Sequence, residues 1–294
     1  MGARGWILFI AMSVIWGIPY LFIKIAVAEL SPASLVFVRT AIGAALLLPL
    51  AAARGDLRAV RPYWPIVLAY TAVEVAAPWF FLSDAERRLS SSLAGLLIAG
   101  VPLLGVLFAW LTGGDDRPDP RGIVGLILGF VGVALLVGLD VEADDLVAVA
   151  EVGLVVLGYA TGAAIIARGL RGVPTAGVVA TSLAVTALVY LPVGLAQWPR
   201  AVPSPGAIAA VAVLGIVCTA VAFLVFFALV REVGAVRATV ITYFNPVVAV
   251  VLGVFVLREP FTVGIALGFA MILLGSIVAT RRRAPHPEVE AAPS

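Results

Sequence analysis

Residues 122–139 read GIVGLILGFVGVALLVGL, and residues 261–280 read FTVGIALGFAMILLGSIVAT. Each is an uncharged apolar run of roughly the length that crosses a bilayer as a helix, about 20 residues at about 1.5 Å per residue. Each carries two glycines seven residues apart, Gly125 and Gly132 in the first and Gly268 and Gly275 in the second. Pro102 stands 23 residues before Gly125, and Pro246 stands 22 before Gly268. Gly17 matches Gly158 and Pro32 matches Pro174 at a similar offset. The chain therefore reads as one unit written twice.

Composition fixes the solvent of that unit. Of 294 residues, 63% are hydrophobic and 12% charged, with a mean hydropathy of +1.15; a soluble domain carries about 25% charged residues. Too few charges remain to cover a water-facing surface, so the partner of the surface is the lipid bilayer. Charged or Pro/Gly-rich breaks divide the apolar stretches into ten expected helices, at roughly 6–28, 33–53, 63–83, 90–112, 122–139, 146–168, 175–196, 206–229, 235–256 and 261–280. The alternating pattern of a membrane barrel is absent. The expectation is an all-α integral membrane protein of ten transmembrane helices arranged as two five-helix inverted repeats. A five-helix unit repeated in tandem must insert upside down the second time, which creates a two-fold axis in the membrane plane. The expected units are 1–142, 143–280 and a polar tail, 281–294.

An even helix number puts both termini on one side. The connections there hold thirteen basic residues: Arg4, Arg54, Arg58, Arg61, Arg117, Arg121, Arg168, Arg171, Arg231, Arg237 and Arg281 to Arg283. The other side holds five, Lys24, Arg87, Arg88, Arg200 and Arg258, and an acidic connection, Asp140 to Asp145. By the positive-inside rule both termini are cytoplasmic, in the inner (plasma) membrane. The first apolar run, Trp6 to Ile23, exceeds the roughly 7–15 residues of a signal-peptide core and reads as a retained helix.

Trp16-Gly17 followed by Lys24, then Ser31-Pro32 followed by Arg39, resembles the opening of the drug/metabolite transporter superfamily, specifically its EamA-type ten-helix exporters. Asn245-Pro246 followed by Arg258-Glu259-Pro260 and the glycines of the last helix is similar to that family's second half. The resemblance spans nearly the whole chain up to Thr280. It implies export of amino acids or other small metabolites through a central cavity, with the aromatic amino acid exporters as one branch. Trp16 corresponds to Leu157 and Arg39 to Thr181, so the two halves have specialised.

Ionisable groups inside a span cost about 2.5–3.5 kcal/mol each on insertion scales, which marks them as functional candidates. Lys24, Arg39, Glu74 and Glu151 are such groups. Glu74 and Arg39 fall at similar depth. They either bind the ammonium and carboxylate of an amino acid substrate or pair with each other as a structural ion pair. Lys24 is expected to snorkel to the interface, and Glu151 to serve an ion or charge pair. Pro78, four residues after Glu74, removes one helix hydrogen bond, opens the turn around residue 74 and turns Glu74 toward the interior. Pro19, Pro102 and Pro246 are further expected helix breaks. Trp16, Tyr20, Tyr159 and Tyr243 are the expected aromatic lining for an apolar substrate side chain. The glycines at 125, 129, 132, 264, 268 and 275 offer small-residue faces, for packing within the chain or for a weak homodimer.

Other functions find little support. Asp115-Asp116-Arg117-Pro118-Asp119 resembles the magnesium-diphosphate motif of membrane prenyltransferases, but a second acidic cluster on the same side is missing. One cysteine, Cys218, and one histidine, His286, leave no metal-ligand cluster, and no Walker A pattern is present. No enzyme activity, cofactor, metal or nucleic acid is expected. A small-molecule substrate is. The alternatives to an amino acid exporter are a carrier of a nucleotide-linked or quaternary metabolite and, in another class, a channel.

Overall fold

The computed structural model describes residues 1–111 and 120–280. The Asp115–Asp119 motif, the Arg281–Arg283 cluster and His286 lie outside the described residues. Ten apolar helices follow one another: α1 (Ala3–Val27), α2 (Pro32–Ala53), α3 (Asp56–Arg88), α4 (Ser91–Phe108), α5 (Pro120–Asp140), α6 (Ala143–Gly169), α7 (Thr175–Ala196), α8 (Pro205–Val233), α9 (Val240–Val256) and α10 (Val263–Thr280). Among the described residues, all but α9 are long and apolar enough to span a bilayer alone. The α9 span is completed by a tighter turn at Thr239–Tyr243 and a short helix at Ala235–Ala238. The surface explains the composition. Ile7, Leu188, Phe255 and Val263 are each about 70% exposed or thereabouts (68, 69, 76 and 70%), side chains that only lipid would solvate.

The packing has the two-fold pattern that inverted repeats require. The two most extensive partnerships, α5 with α10 and α2 with α7, and a smaller one, α4 with α9, each join a helix to its own counterpart. Two further ones, α3 with α6 and α1 with α8, exchange under the same operation. Close approach of α5 and α10 depends on glycine. A Cβ added at Gly125 would meet the backbone of Gly275 and Ala279, and one at Gly275 would meet the backbone of Gly129 and Gly125. These glycine faces are used within the chain.

Breaks in the helices also come in pairs. In α3 the segment Thr71–Ala76 is a π-turn, and in α8 the segment Ile216–Val221 is another. The first follows from Pro78, which has no N–H to donate to residue 74. The same segment is tied to the other repeat, where the Tyr190 hydroxyl donates to Ala76 O at 3.0 Å. The second has no proline. There the Thr219 hydroxyl donates to Leu214 O, five residues back, at 2.8 Å, a side-chain bond that competes with the regular ladder. In α4 the helix ends at Ile98 and restarts at Val101, a residue ahead of Pro102. In α9 the tighter turn ends just ahead of Asn245-Pro246. Helix α1 breaks at Ile18, before Pro19, whereas Leu146–Gly169 of α6 runs unbroken because Ala160 stands where α1 has Pro19.

Helix α3 departs most from the sequence expectation of 63–83. It starts at Asp56 and ends at Arg88, because the charges that suggested a break are held within the helix. Arg87 pairs with Asp84 at 3.1 Å.

Candidate functional site

Helices α1, α2, α3, α4, α6, α8 and α9 enclose a cavity of about 270 Å³. Among the described residues, helices α5, α7 and α10 contribute nothing to its wall. Its lining divides by chemistry. Trp16, Phe223, Ile98, Val101 and Pro246 make an apolar side, and Arg39, Glu74, Tyr20, Tyr70 and Tyr159 supply the polar groups. The ring of Trp16 meets Phe223 edge-on at 6.1 Å and Phe226 at 4.8 Å.

Arg39 is buried, 7% exposed. Its Nε donates to Thr219 Oγ1 at 3.1 Å, and its guanidinium carbon sits 3.8 Å from the centre of the Trp79 ring. The contact to Trp79 is a cation–π stack, worth about 2 kcal/mol when desolvated. Thr219 belongs to the π-turn of α8, so the break in one repeat positions the cation of the other. Among the described residues, no carboxylate forms a salt bridge with Arg39.

Glu74 occupies the π-turn of α3. Its Oε2 is buried and has no hydrogen-bond partner. Glycines of α6 make room for it: a Cβ at Gly162 would collide with the Glu74 carboxyl, and one at Gly158 with Val73 O and Pro78. The structural ion pair between Arg39 and Glu74 is therefore not formed. A basic and an acidic side chain thus line one cavity without bonding each other.

The remaining residues singled out from the sequence fall as follows. Pro19 and Pro246 line the cavity, whereas Pro102 does not and its neighbours Ile98, Ala99 and Val101 do. Pro78 packs on Gly158 behind the wall. Tyr243 is also outside the lining, with its hydroxyl 2.8 Å from Thr280 Oγ1. Glu151 pairs with Arg88 at 2.9 Å. Lys24 does not snorkel. Its Nζ donates to Glu86 O at 2.7 Å and Leu89 O at 2.8 Å, closing off the end of α3 instead of reaching the lipid headgroups. Trp79, Tyr70, Thr219 and Asn245 were not among the sequence candidates. One end of the Asn245 amide lies 3.0 Å from Ile241 O and 3.1 Å from Ser13 O; two carbonyl acceptors there assign that end as the nitrogen, which then ties α9 to α1. The spacing Gly158-x-x-x-Gly162 was the available signal for the wall beside Glu74.

Ten helices place both ends of the bundle on one face. On the opposite face the repeats are tied together by polar contacts. Glu29 accepts from Ser204 N at 2.6 Å and Ser204 Oγ at 2.5 Å. Glu259 accepts from Ser91 N at 2.7 Å, Ser92 N at 3.0 Å and Ser92 Oγ at 2.5 Å. Ser34 Oγ donates to Gly194 O at 2.7 Å, and Arg88 joins Glu151 there. On the terminal face, Arg4 and Glu232 approach to 3.7 Å, with Arg4 77% exposed.

An inverted-repeat bundle of apolar helices with polar and aromatic side chains around an internal cavity is the architecture of a membrane transport protein. The EamA-like transporter family matches residues 3–138 and 149–281, and the chain belongs to that family; it is a multi-pass membrane transporter and not an enzyme. It is 25% identical to the uncharacterized transporter YvbV of Bacillus subtilis (strain 168) over 281 residues, 92% of this chain and 90% of that protein. It is 27% identical to the uncharacterized inner membrane transporter YedA of Escherichia coli (strain K12) over 249 residues, 83% of this chain and 79% of that one. A crystal structure of 23% sequence identity superposes with a TM-score of 0.69, covering 95% of this chain and 98% of the other, which shows a shared fold.

Proposed function

We propose that the chain exports amino acids, or similar small amphipathic zwitterions, by alternating access through the cavity between its repeats. The observation that carries this reading is that, among the described residues, Arg39 and Glu74 line one apolar-walled cavity without an ion pair to each other or to any other charged side chain. An unneutralised cation and acid at membrane depth are costly, and a zwitterion would satisfy both at once. The Arg39 fork suits a carboxylate, and the free oxygen of Glu74 suits an ammonium. Trp16 and Phe223 would hold the side chain without fixing its identity, which favours bulky apolar substrates. The polar ties opposite the termini support a conformation closed on that face.

The distribution of basic residues supports cytoplasmic termini, and the likeness to an inner membrane transporter supports an inner-membrane location. The function is tested by competition in proteoliposomes. Exchange of a labelled aromatic amino acid should be inhibited by the same compound unlabelled, weakly by its methyl ester or by its N-acetyl derivative, and not by the compound lacking both termini. Equal inhibition by all four would overturn recognition of a zwitterion.

A further inference from the structure

Glu86 is the most completely buried acid in the described bundle. It is 0% exposed, and neither carboxyl oxygen has a hydrogen-bond partner. It does not line the cavity. It lies on the last turns of α3, beneath the ties between repeats, and four residues separate it from Ser91, whose backbone N–H donates to Glu259. Its neighbourhood is crowded with committed groups. Lys24 of α1 spends two N–H donors on the backbone oxygens of Glu86 and Leu89 and forms no salt bridge with the carboxyl. Glu259, from the link into α10, is already saturated by Ser91 and Ser92. Tyr20 of α1, Arg39 of α2 and Tyr159 of α6 complete the titratable and charged set around it. Lys24 and Arg39 attract a negative charge on Glu86, and Glu259 repels it, but none bonds it.

We propose that Glu86 is a proton site that governs the face opposite the termini: the carboxyl binds a proton as that face closes over it and releases it as the face opens to water. A buried carboxylate without a donor is strongly disfavoured relative to its neutral acid, whereas one in contact with water is not. A metal cation does not fit in its place, because no group of three acidic, histidine or cysteine ligands occurs among the described residues. A proton needs only the one carboxyl. The closed arrangement holds through contacts that surround Glu86 without touching its oxygens. A Cβ at Gly253 would strike Ser91 Oγ, Ser92 Oγ and Glu259, so α9 must keep glycine there for the closure to form. Acid on this face favours the closed bundle, and base the open one. The inference rests on the alternating-access reading only in requiring that the face opens.

The test needs no substrate. Spin labels at Ala28→Cys and Leu146→Cys, both exposed on this face in different repeats, are placed in the full chain on a Cys218→Ser background. The distance between them is measured in lipid nanodiscs from about pH 5.5 to about pH 8.5; one linked proton permits up to about a tenfold change in the closed-to-open ratio per pH unit. The expected result is two populations whose open fraction rises several-fold with pH, and loss of that rise in Glu86→Gln. Glu86→Asp, which keeps an acid on a side chain one methylene shorter, should retain the rise with its midpoint displaced along the pH axis. Should Glu86→Gln fail to fold, the comparison of wild type with Glu86→Asp still decides, since a proton held elsewhere would give identical profiles in both. Two populations insensitive to pH, or equally sensitive in Glu86→Gln, would overturn the role of Glu86 while leaving alternating access intact. A single population at every pH would overturn the opening itself and the inference with it.

Discussion

Glu74 lies against Gly162 so closely that a Cβ on the glycine would collide with the glutamate carboxyl. The wall of α6 thus sets where the free acid of the cavity can stand. Gly162→Ala should strain the site by about 1–3 kcal/mol, the usual cost of an added methyl in a packed interior. The melting temperature of the detergent-solubilised chain should fall by several degrees. Shortening Glu74 to alanine in the same chain should restore most of the loss. Equal drops with and without Glu74→Ala would show that the methyl meets something else.

The α5–α10 contact provides a second test of close packing, remote from the cavity. Gly275 faces the backbone of Gly125 and Gly129, whereas Gly138, also in α5, has nothing within 4 Å of an added Cβ. Gly275→Leu should separate the two helices and abolish a monodisperse peak in size-exclusion chromatography, and Gly138→Ala should leave the elution unchanged. A monodisperse Gly275→Leu protein would contradict the glycine-mediated approach.

Glu29 accepts hydrogen bonds from the Ser204 hydroxyl and backbone N–H, and these hold its carboxyl below the usual carboxylate range. The acid is ionised and bonded in the folded chain at neutral pH. Its contribution is present above the ordinary pKa of a free glutamate and is lost as pH falls through the lowered value. Glu29→Gln should therefore lower stability at pH 7 and flatten the acid end of the profile below about pH 4.5, where the wild type loses the same contribution. A profile parallel to wild type throughout would remove this contact from the ties of that face.

The orientation can be checked with a single reporter. A cysteine introduced after Arg283 on a Cys218→Ser background should be protected from an impermeant maleimide in intact cells and react once the membrane is opened. Labelling in intact cells would invert the bundle and put the polar ties on the cytoplasmic side.

Much of the fold was legible because lipid leaves few choices. Uncharged runs must be helical, and the repeated Pro and Gly spacing implied two inverted units. Pro78 told of the opened turn at residue 74, because a missing N–H has a local effect. The π-turn at Thr219 was not legible, since it depends on a hydroxyl reaching Leu214 O and no residue type demands that. Arg39 and Glu74 could be named from charge alone. That they do not pair depends on Trp79 and Thr219 engaging the arginine, which is tertiary information. Glu86 was passed over because Ser83-Asp84-Ala85-Glu86-Arg87-Arg88 reads as a polar helix end, and nothing in the stretch shows that Lys24 and Glu259 close over it. Tyr243 was drawn toward the cavity by its neighbour Pro246, but the tight turn before Asn245 directs its hydroxyl to α10.

Counterflow in proteoliposomes tests the central claim most directly. Vesicles loaded with an unlabelled bulky amino acid should accumulate the labelled form saturably, with no unitary conductance in planar bilayers. Glu74→Gln and Arg39→Lys, verified as monodisperse, should each lower the apparent affinity about tenfold or more, since the first removes a charged contact worth roughly 1.5–3 kcal/mol and the second replaces a planar bidentate donor with a point charge. Absence of counterflow for every zwitterion tried, or full activity in both variants, would contradict the assignment of the cavity as an amino acid site.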